Sequence, residues 1–316
     1  MYYIGCDIGG TKCAVSVGEE NDSEIKLLDR REFPTVSDWH EVTNSLFSLA
    51  LEMTKGISVS ACGFSCGGPL DSEKGIVMCP PNLPSWDNVP LTKLGSEKLG
   101  VPCFLENDAN ACALAEWRWG AGKGAKNVVF LTFGTGLGAG IIMDDRLIRG
   151  ANGNAGEAGH IRLTAFGPSG YGKAGSFEGY CSGSGIAQIG ILLAKEAVQN
   201  GITPSYLDEG LDGITTKKIA SAARSGDITA KKVFDLCGEK LGEGLSLLTD
   251  ILNPDRIVIG SVFTRCEDLL RPEMERVMRR ECLPCSYAAV KVVPAALGEH
   301  IGDYAALCAA DYGINR

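Results

Sequence analysis

The segment Leu105-Glu-Asn-Asp-Ala-Asn-Ala-Cys112 is where we expect this chain to carry out its chemistry. Asn107 and Asp108 stand between a short apolar run that ends at Leu105 and a run rich in Ala, Leu and Glu. These two runs predict a buried strand followed by a helix that begins near Ala109. Asp and Asn at such a junction also cap helices, because their side chains accept the first free backbone N–H groups. The segment alone therefore leaves a chemical role and a capping role open.

Two turns rich in glycine and threonine have the composition of phosphate-binding loops. They are Asp7-Ile-Gly-Gly-Thr-Lys12 and Thr132-Phe-Gly-Thr-Gly-Leu-Gly138, and apolar runs that predict strands flank each of them. Glycine lets the main chain approach a phosphate closely, so that backbone N–H groups and a Thr hydroxyl can bind it. Asp7 could hold a magnesium ion, either directly or through water. A plain hairpin uses the same residue types, and that alternative stays open at each turn.

The segment Gly156-Glu-Ala-Gly-His160 places a carboxylate and an imidazole three residues apart among small residues. Glu157 and His160 could converge on one hydroxylated ligand; metal ligation and a simple turn are the alternatives. A glycine-dense loop over 166–185 follows, and it contains Glu178. Residues 256–261 predict a buried strand that ends in small residues, which makes its end a further candidate for a ligand loop.

Strand patterns and helix patterns both occur along the chain. Residues up to 33 predict a three-stranded antiparallel meander whose third strand covers 24–33. Further strands are predicted over 57–64, 101–105, on both sides of the second turn, over 256–261 and over 288–293. Helices are predicted over 37–55, 89–99, 109–119, 186–199, 216–223, 230–252, 269–280 and 304–310. The repeated strand–turn–strand plan indicates a duplicated unit, one in each of two domains that face each other across a cleft.

The bulk properties describe an acidic globular protein of two domains. The chain has 316 residues, which is more than one compact core usually accommodates. Its net charge of −9 argues against a nucleic-acid-binding surface, and no apolar run is long enough to span a bilayer. The 13 cysteines are odd in number and scattered, which argues against a disulfide framework. Because no signal-peptide pattern precedes the first strand, we expect a cytoplasmic location.

Two patterns that suggest other functions fail on their sequence context, and a third does not occur. Residues 134–139 match a loose dinucleotide-binding fingerprint, but 139–147 predict a strand and a hairpin where that fingerprint needs a helix. A Walker A loop is absent from the sequence. Cys282 and Cys285 lack a second pair or a nearby His, so we expect no zinc site there.

Taken together, the motifs resemble those of the ROK family (repressors, open reading frames and sugar kinases) along essentially the whole chain. The order and spacing of six segments carry the resemblance, namely 7–12, 67–71, 81–86, 106–110, 132–138 and 156–160. The family belongs to the actin-like ATPase and hexokinase superfamily, which implies an α/β fold of two ribonuclease-H-like domains. Each domain would have a mixed β-sheet flanked by helices, and a cleft would separate them. We expect a small domain at 1–117 plus 300–316 and a large domain at 118–299.

The resemblance also implies roles for individual residues. Asp108 would act as the general base on the 6-hydroxyl of a sugar. The hydroxyl groups of the sugar would contact Gly68, Asn82, Asn107, Asp108, Glu157, His160 and Glu178. The nucleotide ATP would contact Asp7, Gly9, Gly10, Thr11, Lys12, Gly134, Thr135, Gly136 and Gly138, with Gly260 and Ser261 near its adenosine. Asp7 would orient a Mg²⁺ ion through water.

The sequence departs from the family pattern in the glycine-dense loop. Many members bind zinc through the His of the Gly-His motif and three cysteines of that loop. In this chain the three cysteine positions hold Ser169, Tyr171 and Ser176. One imidazole and the nearby Cys181 do not make a closed tetrahedral site. We therefore expect no structural zinc and keep His160 as a sugar ligand.

These roles predict an ATP-dependent hexose 6-kinase, in which the protein positions the reactants and stabilises phosphate charge. Glucose is the expected sugar; N-acetylmannosamine, N-acetylglucosamine, fructose and allose are the alternatives. A sugar-sensing repressor would carry an added N-terminal helix-turn-helix, whereas this chain starts directly with the first strand. A catalytically silent sugar-binding protein is the other rival. The expected partners are the hexose and ATP, with no nucleic acid and no membrane, in a homodimer or homotetramer.

Overall fold

The computed structural model describes residues 1–21 and 24–316 as an α/β protein. Its strands are β1 (Tyr2–Ile8), β2 (Lys12–Asn21), β3 (Glu24–Pro34), β4 (Ala61–Cys66), β5 (Leu70–Asp71), β6 (Ile76–Val77), β7 (Cys103–Asn107), β8 (Val128–Leu131), β9 (Ala139–Met143), β10 (Arg146–Leu147), β11 (Ser169–Gly170), β12 (Lys173–Ala174), β13 (Arg256–Ile259) and β14 (Lys291–Pro294). Its helices are α1 (Trp39–Met53), α2 (Leu91–Leu99), α3 (Asp108–Trp119), α4 (Phe177–Tyr180), α5 (Gly183–Gln199), α6 (Thr216–Arg224), α7 (Ile228–Leu252), α8 (Val262–Glu281), α9 (Pro284–Ala289) and α10 (Ile301–Ile314). Short 3-10 helices cover Ala158–His160, Ser205–Leu207, Leu211–Gly213 and Gly298–His300. Within the described ranges, no helix has the combination of length and apolar character that crossing a bilayer requires.

The first sheet brings three strand ends to one edge. Its order is β3-β2-β1-β4-β7, with β1, β2 and β3 antiparallel and β1, β4 and β7 mutually parallel. All six residues of β4 are buried, as expected for a strand covered on both faces. In register, Asp7 lies beside Ser65, and Ser65 lies beside Glu106. Polar residues at the carboxyl ends of these strands therefore collect at the edge where α/β proteins bind ligands.

Helix α10 packs directly on β1 and β4 because two strand glycines leave room for its backbone. A Cβ atom at Gly63 would lie 2.1 Å from the carbonyl oxygen of Ala306. A Cβ atom at Gly5 would lie 2.9 Å from the backbone nitrogen of Leu307. Glycine inside a strand often marks such a close backbone approach. The packing brings the first turn of α10 next to the end of β1.

The second sheet has the order β10-β9-β8-β13-β14. Strands β9 and β10 form an antiparallel hairpin whose turn residues, Asp144 and Asp145, have φ angles of 49° and 62°. Positive φ at both positions is typical of a two-residue hairpin turn. Strands β13 and β14 are parallel, with Ile257 opposite Val292. Both sheets are thus mixed and accompanied by helices, which confirms the predicted fold class.

Contacts divide the chain into two compact units. The first comprises Met1–Phe130, Gly140–Gly156 and Ala296–Arg316, and the second comprises Leu131–Ala139 and Glu157–Ala295. The core of the first unit includes the fully buried side chains of Leu46, Phe64 and Trp86. Phe177, Phe234 and Phe263 are among the fully buried side chains of the second unit. The domain boundaries expected from the sequence stay a prediction.

The predicted elements are confirmed with shifted ends, except in four places. Strand β4 begins at Ala61, so residues 57–60 are not part of a strand. Helix α8 begins at Val262 instead of 269, and its early turns leave helical geometry at Cys266, where φ is −129°. The loop over 166–185 contains α4, the start of α5 and the β11–β12 hairpin. The predicted strand over 288–293 is wrong at its start, because α9, which begins with a proline, extends to Ala289.

Candidate active site

The strand–helix junction at Asn107 and Asp108 combines a helix cap with a carboxylate. Asn107 is the N-cap of α3, and its Oδ1 accepts the backbone N–H groups of Ala109 and Asn110 at 3.0 and 3.3 Å. Asp108 is the first helical residue, and its Oδ1 accepts the N–H of Ala109 at 2.8 Å. The capping role is therefore confirmed, and Asn107 performs most of it. The second oxygen of Asp108, Oδ2, lies on the side of Gly67, where an added Cβ would be 3.9 Å away.

The carboxyl of Asp108 lies in a recess that solvent still reaches. Its side chain is exposed, yet protein atoms surround it closely enough to raise the pKa of the carboxyl above its ordinary value. The N–H of Ala109 acts in the opposite direction, because it stabilises the charged form. Gly68 adjoins this recess, since a Cβ there would lie 3.5 Å from Nδ2 of Asn107. The amide nitrogen of Asn107 thus faces Gly68 while its oxygen caps the helix.

Asp7 is a carboxylate in an unfavourable electrostatic environment at the end of β1. The pKa of Asp7 is raised to about 6, mainly by burial and then by the negative charges of Asp303 and Asp108, whereas Arg30 and Lys12 act in the opposite direction. Asp303 is itself held by Arg30, with Nε 2.8 Å from Oδ2. A bound cation would stabilise the ionised form of Asp7 against these neighbouring negative charges.

Glycine in α10 leaves the space that Asp7 occupies. A Cβ at Gly302, in the first turn of α10, would lie 2.5 Å from Oδ2 of Asp7. Within the part of the chain that the structure describes, no three His, Cys, Asp or Glu side chains come together as a metal-binding group. An ion at Asp7 would therefore take the rest of its coordination from water and a phosphate-bearing ligand, as Mg²⁺ commonly does.

The first glycine turn is fixed from inside and leaves N–H groups for a ligand. Gly9 donates its N–H to the carbonyl oxygen of Lys12 at 3.1 Å, and the hydroxyl of Thr35 donates to the carbonyl oxygen of Gly9 at 2.6 Å. Across residues 1–21 and 24–316, no acceptor is found for the N–H groups of Gly10 and Thr11. Backbone N–H groups in such a turn can bind an anion.

Two side chains flank this turn. Gly10 packs against Asn82, since a Cβ there would meet the Cβ of Asn82 at 2.7 Å, and Asn82 itself is exposed. Trp86, at the end of the same proline-rich loop, is fully buried in the core and is not a ligand-facing donor. The ammonium of Lys12 pairs with Glu32 at 3.1 Å, and both side chains are exposed. Lys12 would have to leave this exposed pair to reach a phosphate.

The second glycine turn uses its N–H groups unequally. Gly134 donates to the carbonyl oxygen of Gly136 at 2.9 Å, and Gly138 donates to Oγ1 of Thr132 at 2.9 Å. Outside the two undescribed positions of the chain, the N–H groups of Thr135 and Gly136 have no acceptor. Four residues of this turn were predicted to bind phosphate. The N–H groups of Gly134 and Gly138 stabilise the turn itself, whereas those of Thr135 and Gly136 are available to a ligand.

The predicted adenosine residues lie beside this second turn. The N–H of Gly260 donates to the carbonyl oxygen of Leu131 at 2.9 Å, and Oγ of Ser261 would be 3.7 Å from a Cβ at Gly134. Ser261 has a φ of 51°, an uncommon conformation for a residue with a side chain. The N–H of Gly183, at the start of α5, reaches the carbonyl oxygen of Gly134 at 2.8 Å. Within the second unit, the second glycine turn and the predicted adenosine residues are therefore adjacent.

Glu178 connects three of the predicted motifs within the second unit. Its Oε2 accepts the N–H of Leu137 at 2.9 Å, which leaves Oε1 as the oxygen for a ligand. Added Cβ atoms at Gly136, Gly159 and Gly170 would each lie within 3.3 Å of the Glu178 side chain. At Gly159 and Gly170 a Cβ would also meet backbone atoms, at 2.2 and 2.7 Å, so only glycine fits there. The glycines therefore hold Glu178 between the second turn and the Gly-His motif.

Glu157 and His160 lie at the two ends of the neighbouring 3-10 helix. Both side chains are exposed, whereas Ala158 and Gly159 between them are buried. The ring of His160 contacts the ring of Tyr171, which stands at the tip of the β11–β12 hairpin. This contact was not foreseen from the sequence, because nothing in the spacing of the two residues indicates it.

The loop that carries cysteines in many ROK proteins is held here by cation–carbonyl hydrogen bonds. Nζ of Lys173 donates to the carbonyl oxygen of His160 at 2.5 Å, and Nη1 of Arg162 donates to the carbonyl oxygen of Ala174 at 2.6 Å. Ser176 caps α4 by accepting the N–H of Gly179 at 3.0 Å. The thiol of Cys181 is buried and donates to the carbonyl oxygen of Cys237. Ser176 and Cys181 thus each form a hydrogen bond within the protein, and the absence of structural zinc stays a prediction.

Two charged residues at the site were not assigned a role from the sequence. Glu106 is buried at the end of β7, and Arg149, which follows the β9–β10 hairpin, contacts it through Nε and Nη2. A carboxylate directly after the apolar run that ends at Leu105 was the available signal for Glu106. For Arg149 the sequence contains no comparable signal, because its partner lies 43 residues away.

The fold is that of an α/β protein with mixed sheets. Its two glycine turns are suited to binding phosphate, and the polar side chains described above are suited to binding a hydroxylated ligand. The chain belongs to the ROK family, whose model matches residues 3–310. The glucokinase of Streptomyces coelicolor is 32% identical over 302 residues, which cover 95% of this chain and 94% of that one.

Two solved structures resemble the fold over nearly its full length. A ROK family glucokinase from Streptomyces griseus, in complex with glucose and AMPPNP, matches with a TM-score of 0.79 and 32% identity, covering 99% of this chain and 100% of the other. A ROK family transcriptional regulator, a homologue of the E. coli MLC protein, matches with a TM-score of 0.83 and 26% identity, covering 98% of this chain and 77% of the other. The relatives thus support a sugar kinase, in a family that also contains regulators.

Proposed function

We propose that this protein is an ATP-dependent sugar kinase that phosphorylates a hexose at its 6-hydroxyl, with Asp108 as the general base. The observation that carries the proposal is the carboxyl of Asp108, in which Oδ1 is held by the N–H of Ala109 while Oδ2 is directed toward Gly67. A carboxylate that is fixed through one oxygen keeps the other for a proton. The glucokinase relative and the glucose–AMPPNP complex of the S. griseus enzyme support a sugar and ATP as ligands.

The pKa of Asp108 supports the same role. Burial raises this pKa above its ordinary value, which makes the carboxylate a stronger base toward a hydroxyl proton. In phosphoryl transfer the protein contributes mainly position and charge stabilisation, so one well-placed base is enough. We assign the proton of the 6-hydroxyl to Oδ2 of Asp108.

We assign the other hydroxyl groups of the sugar to polar groups around the two predicted motifs. Asn107 offers Nδ2, because its oxygen is used by the helix cap. Glu178 offers Oε1, because Oε2 is used by the N–H of Leu137. The remaining assigned contacts are Gly68, Asn82, Glu157 and His160, of which the last three have exposed side chains.

We assign the phosphates of ATP to the two glycine turns, and ATP with Mg²⁺ supplies the phosphoryl group and neutralises its charge. The donors are the N–H groups of Gly10, Thr11, Thr135 and Gly136, while Gly9, Gly134 and Gly138 shape the turns. Lys12 would move from Glu32 toward a phosphate, and Gly260 and Ser261 would adjoin the adenosine. Asp7, whose pKa is raised to about 6, would orient the ion through water.

The test is Asp108→Asn in a coupled assay of hexose-dependent ADP release. We expect turnover to fall by roughly 100-fold or more, because general base catalysis is lost, while sugar binding measured by calorimetry stays within a few-fold. Asp87→Asn, which changes an exposed carboxyl of the same unit, is the control and should keep wild-type turnover. Turnover of Asp108→Asn close to that of the control would mean that another residue is the base.

The sugar we propose is glucose, and the alternatives are N-acetylmannosamine, N-acetylglucosamine, fructose and allose. A panel of these five hexoses with ATP, ranked by kcat/KM, distinguishes them. Sugar binding without ADP release from any of them would instead indicate a sugar-binding regulator, a function that the resemblance to the ROK transcriptional regulator supports. We further propose that the protein works without structural zinc and assembles as a homodimer or homotetramer.

A further inference from the structure

Glu106, the residue before Asn107 and Asp108, accepts more hydrogen bonds than a helix cap or a strand end requires. It is only 3% exposed. Its Oε1 accepts the backbone N–H of Asn107 at 3.1 Å, Nδ2 of Asn110 at 3.2 Å and the hydroxyl of Ser72 at 3.3 Å. Its Oε2 accepts Nε and Nη2 of Arg149 at 3.1 and 2.5 Å. A buried carboxylate is stable only when it is satisfied in this way.

The donors to Glu106 come from three separate segments of the first unit, one of which contains Asn107 and Asp108. Ser72 follows the segment over 67–71, Asn107 and Asn110 belong to the first turn of α3, and Arg149 precedes the segment over 150–156. The two carboxylate oxygens of Glu106 have different partners: Oε1 binds the start of α3, and Oε2 binds Arg149. One side chain thus ties together the backbone of Asn107, the side chain of Asn110 and two loops of the first unit.

Arg149 also contacts two further residues, Ala155 and Tyr312. Its carbonyl oxygen accepts the N–H of Ala155 at 3.1 Å, which closes the loop that leads to the Gly-Glu-Ala-Gly-His segment. Its guanidinium lies over the ring of Tyr312 in α10, 5.7 Å from the ring centroid. Its side chain is only 17% exposed, so its rotamer is fixed by packing as well as by the ion pair. A planar guanidinium held by both a carboxylate and a ring has a defined orientation that an ammonium would not have.

We infer that Glu106 and Arg149 form a positioning pair that sets the geometry of Asp108 and Asn107 for catalysis. The inference rests on the function proposed above. Neither residue needs to touch a substrate, because Glu106 acts through the backbone N–H of Asn107 and the side chain of Asn110. A general base must be aligned closely with its proton, and a displacement of about 1 Å can cost on the order of 100-fold in rate.

The chain offers a matched control in the ion pair between Arg118 and Glu20. Nη2 of Arg118 lies 2.9 Å from Oε1 of Glu20, whose side chain is 5% exposed, compared with 4% for Glu106. Both pairs join a partly exposed arginine to a buried glutamate within the first unit, and Arg118 additionally pairs with the buried Asp311 at 3.3 Å, so its removal should cost at least as much stability. The Arg118 pair involves none of the residues assigned to the sugar or to ATP. Any effect that is only a loss of stability should therefore appear in both pairs.

The experiment compares Arg149→Lys and Arg149→Met with Arg118→Lys and Arg118→Met. The lysine variants keep the positive charge, so they still test the inference if a methionine variant does not fold. The methionine variants remove the ion pair. We expect kcat of Arg149→Met to fall roughly 10- to 100-fold, with Arg149→Lys intermediate and the KM for ATP changed less than about two-fold. The Arg118 variants should lose at least as much Tm and keep kcat. Equal kcat in the two methionine variants would overturn the inference.

A second measurement separates this inference from the proposed function. Amide hydrogen exchange should become faster at residues 107–110 in Arg149→Met but not in Arg118→Met, whatever the activity of the protein. If the wild-type protein phosphorylates none of the hexoses and the exchange result still holds, the positioning pair stands and the proposed function fails. Unchanged exchange at 107–110 would overturn the positioning pair even in a fully active kinase.

Discussion

The rings of His160 and Tyr171 meet edge to face, with centroids 5.4 Å apart and an angle of 88° between their planes. Tyr171 has a φ of 45° and is 71% exposed, so an aromatic residue occupies a left-handed position that favours Asn or Gly. Left-handed residues that are not glycine often mark sites where strain serves a function. We interpret Tyr171 as the residue that orients the imidazole of His160 toward the sugar.

Replacing Tyr171 by Asn should separate stability from sugar affinity. Asn fits the left-handed conformation, so the free energy of unfolding should rise by about 0.5 kcal/mol, while loss of the ring contact should raise the KM for the sugar several-fold. Tyr171→Phe keeps the ring and should keep the wild-type KM. Phe166→Ala, in the same loop and 87% exposed in the native protein, is the control for general loop effects. A sugar KM of Tyr171→Asn equal to that of the control would exclude the orienting role.

Substitutions at Asn107 should distinguish its cap from its proposed sugar contact. Ser also caps helices well, so Asn107→Ser should change the free energy of unfolding by less than about 0.5 kcal/mol, whereas Asn107→Ala should cost about 1 kcal/mol. Both variants lack the amide nitrogen that faces Gly68, so both should raise the KM for the sugar. Urea unfolding and steady-state kinetics measure the two effects. An unchanged sugar KM in Asn107→Ser would leave Asn107 with the cap alone.

The sequence predicts the parts of this fold that depend on local chemistry. The Gly-Gly-Thr turn, the antiparallel meander and the strand–helix junction at Asp108 all follow from residue types within a few positions of one another. The start of α8 does not, because Cys266 leaves helical geometry while tertiary packing continues the helix on both sides. Packing overrides local propensity in such places.

Among the site residues, too, local sequence predicts some features and tertiary packing determines the others. The polar residues of the motifs could be named from the sequence, but the partners that hold them could not. Arg149 reaches Glu106 from another strand pair, and Gly302 makes room for Asp7 from the last helix. Such contacts join residues far apart in sequence, so only the folded chain reveals them. The glycines around Glu178 illustrate this. In the sequence each is an ordinary loop residue, and only the structure shows that the side chain of Glu178 lies next to it.

Metal removal should leave the glycine-dense loop intact, because hydrogen bonds from Arg162 and Lys173 hold it. We expect substoichiometric zinc in the purified protein and the same Tm before and after dialysis against a chelator. Arg162→Met and Lys173→Met should each lower the free energy of unfolding by about 1 kcal/mol, since a hydrogen bond from a charged donor is lost near the surface. Stoichiometric zinc, or a fall in Tm on chelation, would contradict this prediction.

Asp7→Asn should stabilise the ligand-free protein in a pH-dependent way. The pKa of Asp7 is raised from 3.8 to about 6, because burial and the charges of Asp303 and Asp108 disfavour its ionised form. The folded state therefore binds this proton more tightly than the unfolded state does. Stability from this group is greatest below about pH 4 and is lost as the pH rises toward 6. Above pH 6 the ionised carboxylate destabilises the folded state by about 3 kcal/mol, because a tenfold change in proton affinity corresponds to about 1.36 kcal/mol.

The measurement is urea unfolding of the wild type and Asp7→Asn between pH 4 and pH 7.5. The difference in free energy of unfolding should be near zero at pH 4 and reach about 2–3 kcal/mol in favour of Asn at pH 7.5. Asp87→Asn, at an exposed position of the same unit, corrects for the loss of any one negative charge. ATP with Mg²⁺ should stabilise the wild type more than Asp7→Asn, because a cation at Asp7 offsets the repulsion among the carboxylates. A constant difference across this pH range would mean that Asp7 is already stabilised by its neighbours in the folded chain.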